Sequence, residues 1–145
     1  MFEQLLLLRG IYDEVHLGDL VAFMVKNPDS YDAITSAATL IHFGDLTRVF
    51  DATAVSLKDD GLFVFILFPN DNEQDDKEMV VALNSGLAKG GCYVHSPAYV
   101  GRLAEAAGFD VESMDSEIHE YHNKTTPITG LVVALRRRSR PASQR

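Results

Sequence analysis

At 145 residues, with 46 % hydrophobic and 23 % charged residues, the chain has the length for one hydrophobic core and the composition of a globular domain. Disordered, collagen-like and disulfide-scaffold classes are excluded on the same grounds. The formal charge of −8 is unevenly placed: Arg136, Arg137, Arg138, Arg140 and Arg145 crowd the C-terminus, leaving residues 1–135 with 8 basic against 21 acidic groups, a body that repels phosphate backbones and argues against a nucleic-acid partner.

Cys92 is the only cysteine, which removes any intrachain disulfide and fits a reducing cytoplasm. The longest apolar run, Leu62 to Phe68, is too short to span a bilayer, and Leu5 to Leu8 lacks the basic start and cleavage site of a signal peptide. No membrane partner is expected.

Phe2 to Arg9 reads as a short, greasy helix stopped by Gly10. Val15-His16-Leu17 reads as a brief strand, and Leu20 to Lys26 as a helix closed by Asn27-Pro28. After Tyr31-Asp32, the uncharged stretch Ala33 to Ile41 predicts a strand buried on both faces.

From Asp45, an N-cap by residue type, apolar positions Leu46, Val49, Phe50, Ala54 and Leu57 recur at helical steps until Asp59-Asp60-Gly61. Leu62 to Phe68, ended by Pro69, is uniformly apolar and β-prone, as in the interior of a parallel sheet. Asn70 to Lys77 reads as a surface loop, and Met79, Val80, Leu83 and Leu87 as a helical piece before Gly90-Gly91.

Ser96-Pro97 supplies an N-cap and a first-turn proline for a helix whose face is Tyr99, Val100, Leu103, Ala104 and Ala107, closing at Gly108. Phe109 to Ile118 and Ile128 to Leu135 then predict two strands with no helix between them, hence an antiparallel hairpin. Residues 137–145 read as a basic, disordered tail.

This series, a parallel α/β alternation closed by a helix and a reversed hairpin, resembles the C-terminal part of class I S-adenosylmethionine-dependent methyltransferases. "YDAITSAATLIHFGDLTRVFDATAVSLKDDGLFVFIL" is similar to that family's stretch from fourth to fifth strand, and "YVHSPAYVGRLAEAAGFDV" to its last helix and sixth strand. Bacterial methyltransferases linked to tetratricopeptide repeats look most alike, through Gly44-Asp45-Leu46 and Tyr93-Val94-His95-Ser96. The resemblance covers roughly residues 1–136. It implies an α/β, Rossmann-like class I methyltransferase fold, N-terminally truncated, with a C-terminal antiparallel hairpin, transferring a methyl group to a small-molecule or protein acceptor.

The family's glycine-rich loop and the acidic residue that holds the ribose have no counterpart here; no G-x-G occurs in the sequence. The resemblance therefore implies a weak or incomplete S-adenosylmethionine site. Asp19 and Leu20 match the positions that hold the adenine amino group and a ring nitrogen, and Ser36 and Ala37 match the wall beneath the cofactor. Ala38 departs from the acidic or amide residue common there. His42, Tyr93 and His95 fall at positions that face the methyl acceptor and are the candidate catalytic residues.

The family strand order, 3-2-1-4-5-7-6, implies that two central strands are missing and that the fourth strand becomes an apolar edge, open to a homodimer. The competing reading is a non-catalytic remnant that serves as an interaction or assembly module through that edge. Glu117, His119, Glu120 and His122 are dense in metal-capable groups, but His119 and His122 point to opposite faces of a strand, so a solvated hairpin end is expected and no metal.

Overall fold

The computed structural model describes residues 10–70, 79–81 and 92–141. Helix α1 (Leu20–Lys26) starts where Asp19, in extended conformation, accepts a 2.7 Å hydrogen bond from the Ala22 N–H through its Oδ1. It stops at Asn27, whose side-chain amide donates back to the Phe23 carbonyl at 2.8 Å, ahead of Pro28. Strand β1 (Tyr31–Ser36) follows, then a single 3-10 turn (Leu40–His42) and helix α2 (Thr47–Ser56).

Strand β2 (Leu57–Pro69) is the spine of the sheet. β1 lies parallel to it, Ile34 beside Phe63 and Ser36 beside Phe65. The register between Tyr31 and Ala33 slips, because β2 spends extra residues between Leu57 and Leu62. Asp60 takes φ 61° there, and a side chain on Gly61 would meet the Lys58 carbonyl at 2.8 Å, so this bulge requires a glycine.

Beyond the bulge, β2 pairs antiparallel with β6 (Thr126–Arg137), and β6 with β5 (Phe109–His122). The last residues of β2 also pair parallel with β4 (Tyr93–His95), which takes β3 (Met79–Val81) antiparallel on its far side. Helix α3 (Pro97–Ala106) begins at Ser96, whose Oγ accepts from the Tyr99 N–H at 3.1 Å, and ends before Gly108 at φ 83°.

One face of the sheet is the core. Phe63, Phe65, Leu67, Leu131, Val133 and Leu135 are buried on it, under α2 and α3. Phe50 of α2 meets Phe63, Phe65 and Phe109 edge-on, with ring centroids 5.6–6.3 Å apart. On the other face Leu62, Val64, Ile66, Val132 and Ala134 are only half-buried.

Several expectations change. Val15 to Leu17 belongs to no sheet among the described residues, since a strand needs a ladder partner. The predicted buried strand Ala33 to Ile41 ends at Ser36; Ala38 turns the chain at φ 55° into the 3-10 segment, and β1 is half-exposed with β2 as its one described neighbour. Leu57 opens β2 instead of closing a helix, and Met79 to Val81 pairs as a strand where a helical piece was expected. The Phe2 to Arg9 helix, the Asn70 to Lys77 loop beyond Asn70, and Leu83 to Gly91 lie outside the described residues.

The basic C-terminus is held, through Arg140, against the body. Arg137 is buried, donating to Asp29 at 3.0 Å and to the Leu57 carbonyl. Arg138 pairs with Asp110 at 2.7 Å and Glu105 at 2.6 Å, and Arg140 pairs with Asp29. The expected disordered tail therefore does not begin at residue 137.

Candidate functional site

The C-terminal end of β1 opens into a cleft of about 170 Å³ between α1 and α2. Leu20, Met24, Ile34 and Phe63 make it apolar, and Ser36, Ala37 and Thr39 form its polar lip. β1 creates this opening because its chain leaves the sheet at Ala37 and Ala38. The Ser36 Oγ is buried without a hydrogen-bond partner among the described residues, an unusual state for a hydroxyl in a folded core.

Leu20 also borders two wider depressions. One, about 500 Å³, is lined by His16, Gly18, Asp19, Leu20 and Phe23. The other, about 520 Å³, runs between Tyr12 to His16, α1 and the outer side of β1. Leu20, Ser36 and Ala37 thus share one cleft, while Asp19 faces the neighbouring depression across Leu20. Asp19 Oδ1 is engaged by the helix cap, and Leu20 occupies the first helical position, where backbone N–H groups have no partner inside the helix.

The three residues expected on the acceptor side separate by burial. His42 ends the 3-10 turn and is exposed, and Tyr93 is half-buried on β4. His95 is fully buried: its Nε2 is 3.0 Å from the Gly44 carbonyl and its ring stacks on Tyr99, centroids 5.9 Å apart and 13° from parallel. Burial holds its pKa below 6.5, against the opposing pull of the Gly44 and Phe43 backbone. A neutral imidazole donating through Nε2–H satisfies this geometry and leaves Nδ1 without a partner among the described residues. His95 braces the loop after the 3-10 turn and offers no surface to an acceptor.

Sequence reasoning missed Tyr99 as a polar residue, reading only its apolar face. Its hydroxyl accepts from the buried Leu46 N–H at 3.0 Å and lies 3.3 Å from Asp45 Oδ1. Burial raises the Tyr99 pKa, and hydrogen bonds from the Thr47 hydroxyl and then its N–H lower that of Asp45. Asp45, Thr47, Tyr99 and His95 tie α2, α3 and β4 into one support beneath His42. Among the described residues no group of three or more His, Cys, Asp or Glu side chains is placed to hold a metal ion.

A parallel β-α-β unit with a cleft at the end of its first strand, closed by a reversed hairpin, is an arrangement of nucleotide-handling α/β enzymes. A family model described as "Methyltransferase domain" matches residues 11–114, and the chain belongs to that family. Among solved structures, a putative sarcosine dimethylglycine methyltransferase from Galdieria sulphuraria superposes with a TM-score of 0.68 at 16 % identity, over 90 % of this chain and 62 % of that one.

A S-adenosylmethionine-dependent methyltransferase from Methanosarcina mazei gives a TM-score of 0.60 at 13 % identity, over 79 % of this chain and 62 % of that one. The 1,6-didemethyltoxoflavin-N1-methyltransferase of Burkholderia thailandensis, solved with S-adenosylhomocysteine, gives 0.57 at 16 %, over 78 % and 46 %. The chain spans between 46 % and 62 % of the length of these three relatives. No curated protein matches the sequence. At these identities the structural likeness shows the Rossmann-like fold, with the C-terminal hairpin in place.

Proposed function

We propose that this methyltransferase domain contributes the adenine-facing wall and the acceptor-side support of an S-adenosylmethionine-dependent methyl transfer. The observation that carries the reading is the cleft at the end of β1, where the orphaned Ser36 hydroxyl and the apolar Leu20 and Met24 meet. A purine suits such a place: its ring takes the apolar wall, and its edge reaches past Leu20, whose N–H donates to a ring nitrogen, to Asp19 in the neighbouring depression, which accepts from its amino group.

The fit extends to the adenine end only. No described residue supplies a carboxylate for the ribose or a glycine-rich turn for the methionyl group. When bound, the cofactor supplies an electrophilic methyl on a sulfonium. Transfer depends on holding acceptor and methyl about 3–3.5 Å apart more than on acid or base groups. His42 and Tyr93 are the side chains we assign to the acceptor side, on the support made by His95 and Tyr99. The acceptor is a small molecule or a protein side chain. The buried, lone Cys92 is consistent with a cytoplasmic setting.

Calorimetry and amide chemical shifts with S-adenosylhomocysteine test this. A charge-assisted hydrogen bond contributes about 1.5–3 kcal/mol, so a site lacking the ribose carboxylate binds roughly 10- to 100-fold more weakly than a full one. The expected result is weak, saturable binding with shifts at Leu20, Ser36 and Ala37. No shift at millimolar ligand overturns the assignment of these residues and leaves the interaction-module reading.

A further inference from the structure

We propose that Ser36 is a specificity-determining residue of the cleft at the end of β1, its hydroxyl donating to N3 of the cofactor purine. This contact rests on the adenine-facing reading given above and lies on the side of the ring away from Asp19 and Leu20.

Ile34 and Ser36 stand two apart on β1, so both face the cleft between α1 and α2. The hydroxyls lining that cleft differ in what they do. Thr53, fully buried on α2, donates to the Met24 sulfur at 3.5 Å, and Thr39 donates to the Ala37 carbonyl at 3.5 Å. Thr35 is open to solvent. Of the four, Ser36 alone has its oxygen buried with no partner among the described residues. Two residues on, Ala38 holds φ 55°, a conformation that is costly for a residue with a side chain and that collects at ligand sites. A buried hydroxyl without a partner destabilises the free protein, and a ligand that brings an acceptor recovers that cost when it binds.

The chemistry of the ring then selects the acceptor. A purine linked to ribose through N9 accepts at N1, N3 and N7. Leu20 and Asp19 take N1 and the amino group, and N7 sits beside that amino group on the same edge. N3 lies directly across the six-membered ring from the amino-bearing carbon, so it is the nitrogen presented to Ser36 when the opposite edge reaches past Leu20.

The test uses S-adenosylhomocysteine and its 3-deaza and 7-deaza analogues, each of which replaces one ring nitrogen by C–H. They are titrated into the parent chain and into Ser36→Ala in mildly alkaline buffer, where all of these purines are neutral. The parent should bind the 3-deaza analogue roughly three- to tenfold more weakly than S-adenosylhomocysteine, and the 7-deaza analogue equally well. Ser36→Ala should bind S-adenosylhomocysteine more weakly by the same factor and no longer distinguish it from the 3-deaza analogue. Because alanine removes a buried hydroxyl that the fold does not use, the unliganded variant should melt no lower than the parent.

A parent indifferent to the 3-deaza change, or a 3-deaza penalty that persists in Ser36→Ala, overturns the proposal and leaves the purine site standing. So does a melting temperature of Ser36→Ala below the parent's, since the hydroxyl then serves the fold. If the parent does not bind S-adenosylhomocysteine at all, the purine reading itself fails and this contact fails with it.

Discussion

Asp19 has two uses for one carboxylate. Oδ1 caps α1 through the Ala22 N–H, and the proposed amino-group contact falls to the same side chain. The two separate by substitution. Asp19→Ala is expected to cost about 1 kcal/mol of stability through the lost cap, whereas Asp19→Asn keeps a capping oxygen and stays within a few tenths. Both should weaken S-adenosylhomocysteine, since a neutral acceptor makes a hydrogen bond roughly half as strong as a charged one. Thermal melts beside titrations read the two effects apart; an Asn variant with unchanged affinity removes Asp19 from the site.

His95 and Tyr99 are opposite cases of burial. The folded state holds His95 neutral, so the unfolded chain binds its proton at higher pH. Stability is therefore full above pH 6.5 and falls as pH drops from there towards the depressed folded value. Denaturation midpoints of the His95→Gln variant between pH 7.5 and 5 should show a shallower slope than the parent's. Tyr99→Phe leaves the buried Leu46 N–H without its partner, a loss of about 1–3 kcal/mol at any pH in that range. A Phe variant as stable as the parent means that water replaces the hydroxyl.

At the scale of elements, the parts readable in the sequence are those specified by local chemistry. Ser96-Pro97 marks a helix start because the Ser96 side chain meets backbone a few residues away. Phe109 to Ile118 and Ile128 to Leu135, with no helix signal between them, mark a hairpin whose strands are neighbours in sequence. What was not readable depends on distant partners. Val15 to Leu17 has strand composition and no ladder, while Met79 to Val81 has helical spacing and a ladder with β4.

The candidate site divides likewise: Leu20, Ser36 and Ala37 line one cleft while Asp19 lines the next, and the burial of His95 depends on Gly44 and Tyr99, from other elements. The arginines make the same point. A basic run at a terminus reads as solvated, yet Arg137 is drawn inward because the Leu57 carbonyl and Asp29 both accept from its guanidinium. Arg137→Ala is expected to cost about 1–3 kcal/mol, from a buried carbonyl left unpaired. Arg138→Ala, which breaks exposed pairs with Glu105 and Asp110, should cost less than about 1 kcal/mol. Urea denaturation of the two variants compares them directly, and equal losses would show that the inward arginine is no more than a surface charge.

Over the whole molecule the sheet is asymmetric, and this shapes both its stability and its interactions. The Phe50 cluster closes one face, while Leu62, Val64, Ile66, Val132 and Ala134 stay half-exposed on the other, and β1 has β2 as its one neighbour among the described residues. No described helix is long and apolar enough to cross a membrane. Valine-to-threonine exchanges measure the asymmetry, because they keep shape and add one hydroxyl. Val133, fully buried under the Phe50 face, should lose about 1–3 kcal/mol when its replacement buries a hydroxyl without a partner. Val64, on the neighbouring strand but the opposite face, should change by no more than about 0.5 kcal/mol, as surface substitutions do. Chemical denaturation of the isolated chain decides between two pictures: unequal losses mean a one-sided core with a face left for a partner, and equal losses mean that the chain itself covers both sides.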